Sequence, residues 1–80
     1  MTIGEAFKIR FYELLNEKNI TIHKFVKDNC IARSTLVNIL NGNTKNPSMG
    51  ILFQVSYGFE LTPIEFLNCD VFNQEDLEFL

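Results

Sequence analysis

The chain has no tryptophan, few cysteines and no long apolar run. A membrane-spanning helix needs an apolar run of about 18 residues or more, and a secretion signal needs a basic and then an apolar segment at the N-terminus. Neither pattern is present, so we expect no membrane span and a cytoplasmic protein. The two cysteines, Cys30 and Cys69, fit neither a disulfide framework nor the spacing of a zinc site, and we expect both to be reduced and structural.

The residue patterns of known catalytic and metal sites are missing as well. The four glycines are scattered and form no phosphate-binding loop, and no Gly-x-Ser-x-Gly motif occurs. His23 is the only histidine, and no cysteine, aspartate or second histidine stands at ligand spacing from it. We therefore expect no enzymatic activity, no metal and no cofactor, and we interpret His23 as an exposed residue.

Apolar and aromatic residues are abundant instead. Hydrophobic residues make up 46% of the 80 positions and include eight phenylalanines, which is enough material for a single core in a single domain. Six of the phenylalanines recur at helical spacing and are predicted to lie in that core: Phe7, Phe11, Phe25, Phe53, Phe59 and Phe66.

Apolar spacing and capping residues together predict an all-α fold, a compact bundle of five helices followed by a short tail. The first predicted helix runs from Ile3 to about Lys18 behind a Thr2/Glu5 capping box, the second is capped by Thr21 and ends near Asn29, and the third runs from about Ala32 to Asn41 before Gly42. The fourth runs from Ser48 to Gly58 with Leu52, Phe53 and Val55 turned inward. The fifth is capped by Thr62, has Pro63 at its first position and Glu65 closing the capping box, and ends at about Leu67 or Asn68. Residues 1–69 would form the domain, and residues 70–80 an apolar and acidic C-terminal tail.

Charge is distributed unevenly along the chain. The net charge is −3, yet residues 18–47 contain five basic residues and one acid, whereas residues 58–80 contain six acids and no base. A basic half can approach a polyanion even when the whole molecule is acidic. With so few cations, non-specific binding to DNA would be weak, so useful affinity would require dimerisation or good base contacts.

Two short helical patterns meet at a turn within the basic half. Ile22, Phe25 and Val26 give the first helix one apolar face, and Leu36, Ile39 and Leu40 give one to the second. Asn29–Cys30–Ile31 must form the turn between them. The other face of the second helix carries residue types that hydrogen-bond base edges in a major groove, or touch a thymine methyl: Arg33, Ser34, Val37, Asn38 and Asn41.

This segment resembles the Cro/repressor-like helix-turn-helix family, the DNA-binding domains of phage repressors and Cro proteins. Ala-Arg-Ser-Thr-Leu-Val-Asn-Ile-Leu-Asn-Gly, residues 32–42, is similar to the recognition helix of that family, and residues 43–47 are similar to the loop that follows it. The resemblance covers about three-quarters of the chain. It implies a lambda repressor-like fold and a sequence-specific, double-stranded DNA-binding transcriptional regulator of bacterial or phage type. Such a protein would act as a repressor and bind an inverted-repeat operator as a homodimer.

The resemblance also implies which residues contact DNA. Arg33, Ser34 and Asn38 match the base-reading positions, and Val37 beside them can touch a thymine methyl. Phosphate contacts are expected from the start of the second helix and from the loop after the third: Thr21, Ile22, Lys24, Asn41, Asn43, Lys45 and Asn46. The plain alternative is that these residues only form the solvated face of a surface helix.

The chain departs from the family pattern at several positions. Ile22 stands where the family commonly has a glutamine that helps to bind phosphate, and Val26 stands where it commonly has alanine. Cys30 replaces a glycine, so either a cysteine adopts a positive φ at some energetic cost or the turn is adjusted. Leu15 and Leu40 replace an arginine–glutamate pair, a change that is often neutral for stability.

The tail admits two interpretations. Val71, Phe72, Leu77, Phe79 and Leu80 are too apolar for a free end, so the tail either docks on the first helix or forms a partner interface, most simply that of a homodimer. The acidic tail, the net charge and the missing glutamine also motivate an alternative function. The same fold could serve as a protein-interaction module, antitoxin-like or anti-repressor, that does not read DNA.

Overall fold

The computed structural model describes residues 1–78, and over that range the chain is helical. Five α-helices are followed by one turn of 3₁₀ helix at Asp70–Asn73. The α-helices are α1 (Ile3–Lys18), α2 (Ile22–Asn29), α3 (Arg33–Leu40), α4 (Met49–Gly58) and α5 (Pro63–Leu67). No β-strand occurs within residues 1–78, where the one bridge pair joins Thr2 to Glu78. The predicted all-α class with five helices is therefore confirmed.

None of the helices in the described part of the chain combines the length and the apolar character that crossing a membrane requires.

The helices begin where short polar side chains can cap them. The hydroxyl oxygens of Thr2, Thr21, Ser48 and Thr62 each accept a hydrogen bond from a first-turn backbone N–H. The sequence predicts the three threonine caps, whereas Ser48 caps α4 instead of starting it. Glu5 and Glu65 complete two capping boxes by accepting the backbone N–H of Thr2 and of Thr62, both at 2.9 Å. α3 differs, because it starts behind Ala32, which has no side-chain acceptor. These local bonds place the helix starts without help from distant residues.

Three phenylalanine rings in mutual contact form the centre of the core. The Phe25 ring centroid lies 5.3 Å from that of Phe11 and 4.3 Å from that of Phe59, which ties α2 to α1 and to the end of α4. The approach is close at Gly58, where an added Cβ would stand 2.7 Å from Phe25 Cζ. A glycine at the end of α4 therefore lets α2 pack directly on the α4 backbone.

One of the six predicted core phenylalanines lies elsewhere. Phe53 is 39% exposed, so both predictions that place it in the core are wrong. On α4, Ile51, Val55 and Ser56 are buried and Leu52 is half-buried, and these four residues define the inner face. Because a helix advances about 100° per residue, a residue one position beyond Leu52 turns toward solvent.

The link between α2 and α3 is a turn with a left-handed residue. Asn29 remains in α2, so the turn comprises Cys30, Ile31 and Ala32, one residue later than predicted. Cys30 has φ 52° and ψ 37°, and its N–H donates to the Val26 carbonyl. Of the two alternatives for this position, the cysteine with a positive φ is the one observed. Ile31 is buried, which fixes the turn against the core.

The described part of the tail lies against the body of the molecule. Its 3₁₀ turn packs beside α1, and the Phe72 ring centroid is 6.0 Å from that of Phe66. The Glu78 N–H donates to the Met1 carbonyl at 2.9 Å, and the Glu78 carboxylate lies 3.6 Å from the N-terminal ammonium group. Residues 70–78 therefore follow the docking interpretation. The tail residues Phe79 and Leu80 lie outside the described residues.

Arg10 adds a long-range contact that the sequence does not indicate. Its guanidinium donates to the carbonyls of Phe66 at 2.8 Å and Glu65 at 3.0 Å. These are terminal carbonyls of a short helix, which lack partners within the helix. α1 thereby holds α5 in place.

Acid should weaken the two capping boxes. The backbone N–H of Thr2, assisted by its hydroxyl, holds the pKa of Glu5 below its ordinary value of 4.5, and Thr62 acts likewise on Glu65. A depressed folded-state pKa adds stability that is complete above the ordinary pKa and is lost as the pH falls through the lowered one. We expect the difference in unfolding temperature between the natural chain and a Glu5→Gln, Glu65→Gln double variant to shrink between about pH 5 and about pH 3. A difference that stays constant over this range would contradict the assignment.

The strained turn predicts a stabilising substitution. A left-handed conformation costs a residue with a Cβ about 1–2 kcal/mol, which a glycine avoids. A glycine also loses more chain entropy on folding, and this loss offsets about 0.5–1 kcal/mol of the gain. Because the Cys30 side chain is exposed, Cys30→Gly should raise the free energy of unfolding by about 0.5–1 kcal/mol in urea titrations. Ala32→Gly in the same turn, at φ −62°, is the matched control and should lower it. Equal losses in the two variants would mean that Cys30 is not strained.

Candidate nucleic-acid interface

α3 presents two opposite faces. Leu36 and Ile39 are 0% and 2% exposed and hold the helix on the core. The four predicted base-reading residues, Arg33, Ser34, Val37 and Asn38, are all exposed. At about 100° per residue these four span about 140° of the helix circumference, centred opposite Leu36 and Ile39. The structure therefore brings the four residues together on one accessible face.

The start of α3 combines a cation with unsatisfied donors. Arg33 is the first helical residue, and within residues 1–78 none of the ion pairs involves it. Because Ala32 provides no side-chain acceptor, the first N–H groups of α3 have no side-chain cap. A guanidinium and a helix start with free N–H groups both attract negative charge or acceptor atoms.

The end of α3 is joined to the following loop by amide contacts. The Asn38 carbonyl accepts the Thr44 N–H at 2.9 Å, and the Asn41 Oδ1 accepts the Asn43 N–H at 3.1 Å. Asn38 Oδ1 also accepts from Asn43 Nδ2, at a longer 3.4 Å. These bonds fix the loop relative to α3. Asn38 thus contributes both to the exposed α3 face and to the order of the loop.

The same loop is fixed to the start of α1. The Gly4 N–H donates to the Lys45 carbonyl at 2.8 Å, and a Cβ on Gly4 would stand 2.5 Å from the Thr44 carbonyl oxygen. Only a residue without a side chain permits this approach. Lys45 and Asn46 are exposed. The Gly4 contact spans 41 positions along the chain, so no local pattern in the sequence predicts it.

The predicted phosphate contacts at the start of α2 are less favourable. The Thr21 hydroxyl oxygen already accepts the Lys24 N–H at 3.2 Å, and Ile22 is half-buried against the core. Lys24 donates to Asp28 at 2.8 Å, and both side chains are exposed. A lysine that neutralises an acid on its own helix contributes less net positive charge to a neighbouring anion. The feature of this region that can still bind a phosphate is the set of backbone N–H groups at the start of α2.

A groove beside the loop contains charges of both signs. It has a volume of about 380 Å³ and lies between the N-terminal part of α1 and the end of α3, with Asn41 and Lys45 on its wall. Lys8 adds a second cation, but Glu5 and Glu78 line the same groove. The capping bonds from Thr2 lower the pKa of Glu5. The acids therefore offset part of the positive field around Lys45, an arrangement that the linear charge pattern does not predict.

No three histidine, cysteine or acidic side chains cluster closely enough to hold a metal ion within residues 1–78.

Comparison with known protein families, with curated proteins and with solved structures found no match to this chain.

Gly4 should be essential for the position of the loop. Gly4→Ala forces a methyl group against a backbone carbonyl, and overpacking of this kind costs about 1–3 kcal/mol. We expect that loss of unfolding free energy, together with amide chemical-shift changes at Thr44 and Lys45. Gly50→Ala is the matched control, because an added Cβ on Gly50 meets only Ser48 Oγ at 3.7 Å. It should stabilise α4 by about 0.5–1 kcal/mol. A Gly4→Ala protein as stable as the natural chain would show that the contact is dispensable.

Proposed function

We propose that α2, the turn Cys30–Ala32 and α3 form a helix-turn-helix of the Cro/repressor type, and that the protein is a sequence-specific, double-stranded DNA-binding transcriptional repressor. The observation that carries the proposal is the exposed face of α3, on which Arg33, Ser34, Val37 and Asn38 stand together over a buried Leu36 and Ile39. A firmly seated helix with a polar outer face suits the width of a major groove.

Each of these side chains has a distinct partner on a base pair. Arg33 can donate two hydrogen bonds to the O6 and N7 atoms of guanine, and Asn38 can bond the N6 and N7 atoms of adenine. Val37, which is 39% exposed, offers a methyl surface to thymine. Ser34 can donate or accept. A good bidentate pair discriminates against a wrong base by about 1–3 kcal/mol, so Arg33 and Asn38 contribute most of the specificity.

The loop after α3 supplies the sequence-independent contacts. Lys45, Asn41, Asn43 and Asn46 are exposed, and the bond from Gly4 to the Lys45 carbonyl holds this loop on α1. At the other side, the first N–H groups of α2 behind Thr21 point toward an approaching phosphate. Lys24 has a smaller role, because Asp28 already pairs with it.

The net charge of the molecule limits how tightly a single copy can bind DNA. With a net charge of −3 and two acids in the groove beside Lys45, attraction to random DNA is weak. Two paired copies on an inverted repeat make twice as many base contacts as one copy. Each copy alone still binds random DNA weakly. A symmetric dimer on a two-fold operator therefore fits this chain better than a monomer.

A second function is favoured by one observation. Glu5 and Glu78 lie beside Lys45, where a DNA-binding surface would gain from positive charge alone. A protein partner with mixed charges would tolerate that arrangement. The alternative is accordingly a protein-interaction module, antitoxin-like or anti-repressor, that uses the same helices without reading DNA.

Selection of bound duplexes from a random DNA pool separates the two functions. We expect an enriched inverted repeat with half-sites about one helical turn apart. On that site Arg33→Ala should cost about 1–3 kcal/mol and relax one base position, and Lys45→Ala should weaken all sequences alike and lower the salt dependence by about one unit of slope. Lys18→Ala removes the same charge at the end of α1, away from the proposed contacts, and should leave both the affinity and the salt dependence nearly unchanged.

Two outcomes would contradict the proposal. One is the absence of any enriched sequence at concentrations where the protein is folded by circular dichroism. The other is an enriched site to which Arg33→Ala and Lys45→Ala both bind like the natural chain. Either result would favour the protein-interaction module.

A further inference from the structure

α4 carries an apolar surface that no described part of the chain covers. Met49, Phe53 and Tyr57 are 69%, 39% and 60% exposed, and they recur every four residues along one side of the helix. Phe53 and Tyr57 form an edge-to-face pair with ring centroids 6.0 Å apart. We call these three residues the α4 stripe. Single exposed apolar residues are common on proteins, but a continuous row of large ones marks a contact surface.

The α4 stripe continues into an apolar groove. Met49 also lines a cavity of about 230 Å³ between α1, α4 and α5. The other apolar walls of this groove are Ile3, Phe7, Pro47, Leu52, Leu67 and Phe72. Leu67 is 38% exposed, so the groove is open to solvent. Stripe and groove together offer a longer contact surface than the three side chains alone.

The composition of this surface indicates what can cover it. α4 contains no charged residue, and between Lys45 and Glu65 the only charged position is Glu60, in a chain of which 21% is charged. In a two-fold pair each residue lies near its own copy or that of a neighbour, so a charged surface repels itself, whereas an uncharged one does not. Methionine and aromatic residues with few charges are also the composition of interface centres.

The tail does not compete for this role within the described residues. Phe72 packs beside Phe66, and Glu78 is bonded through its N–H to Met1 and lies near the N-terminal ammonium group. Residues 70–78 are thus engaged with their own chain, and Phe72 forms one wall of the groove. A partner interface was one of two alternatives for the tail, and the described contacts of the tail leave α4 uncovered.

We propose that the α4 stripe, with the adjoining groove, is the surface through which two copies of this chain pair about a two-fold axis. A standard interface buries about 800 Å² on each partner, about one-sixth of this chain's 5130 Å² surface. The three side chains of the α4 stripe bury less area than that, so the groove must contribute to the interface. The fraction of dimer should therefore depend on protein concentration. The pairing is argued from α4 alone and holds whether or not the proposed DNA binding does, although it would supply the dimer which that function needs.

Sedimentation of the 80-residue chain without DNA tests the proposal. Over low micromolar to millimolar concentrations, the natural chain should pass from monomer to dimer. Phe53→Glu places like charges at the two-fold contact and should raise the dissociation constant of the dimer by about tenfold or more. Ile9→Glu is the matched control, since Ile9 on α1 is 40% exposed against 39% for Phe53, and it should dimerise like the natural chain.

The outcomes are distinct. A natural chain that stays monomeric at every concentration overturns the proposal, and so does a dimer that Phe53→Glu leaves intact or that Ile9→Glu weakens equally. If Phe53→Glu fails to fold by circular dichroism, Tyr57→Glu decides in its place, because Tyr57 is 60% exposed. Arg33→Ala should leave the dimer unchanged, so loss of DNA recognition and loss of pairing are measured separately.

Discussion

The Phe25 ring packs against the rings of Phe11 and Phe59, with centroid distances of 5.3 and 4.3 Å, and no other side chain of α2 is fully buried. An eight-residue helix is not stable alone in water, so α2 depends on this contact for its existence. The glycine at the end of α4 allows the ring to approach the α4 backbone. Because α3 follows α2 after three residues, the place of the α3 face in the molecule depends on the same packing.

The α3 end is fixed separately, and this gives the candidate interface two supports. Leu36 and Ile39 seat the helix on the core, and the loop after it is bonded to Gly4 at the start of α1. Base reading requires side chains held at a defined depth, while phosphate contacts require a backbone held at a defined distance. Apolar packing holds the α3 side chains in place, and backbone hydrogen bonds hold the loop after α3. A change in one of these supports need not disturb the other.

The features predicted well from the sequence are those encoded by neighbouring residues. The capping boxes at Thr2 and Thr62 involve residues three positions apart, and the apolar spacing of α1, α2 and α3 identifies their inner faces. Phe53 was misplaced because α4 is apolar nearly all round, so periodicity does not distinguish its inner from its outer face. The exposure of the predicted base-reading residues follows from helix geometry, whereas their function remains a proposal.

Contacts between distant residues could not be predicted in this way. The Arg10 bonds to α5 span 55 and 56 positions, and the bond from Gly4 to Lys45 joins two segments with no shared pattern. Glu78 reaches the groove beside Lys45 only because the tail folds back along α1, so a count of charges by segment overstates the positive field there. Which residues become neighbours across a fold is decided by the packing of all helices at once.

The proposed roles of α3 and α4 depend on salt in opposite ways. The proposed contact of Lys45 with phosphate would weaken as salt rises, because counterions compete for the phosphates. Two copies that each carry a net charge of −3 repel one another, and salt screens that repulsion, whereas the apolar contribution of Met49, Phe53 and Tyr57 to the proposed dimer would be little affected. An uncharged α4 therefore confines the electrostatic cost of pairing to long-range repulsion, which physiological salt already reduces. The proposed base reading uses Arg33 on α3, and the proposed pairing uses the uncharged α4, so a substitution that alters one should leave the other unchanged.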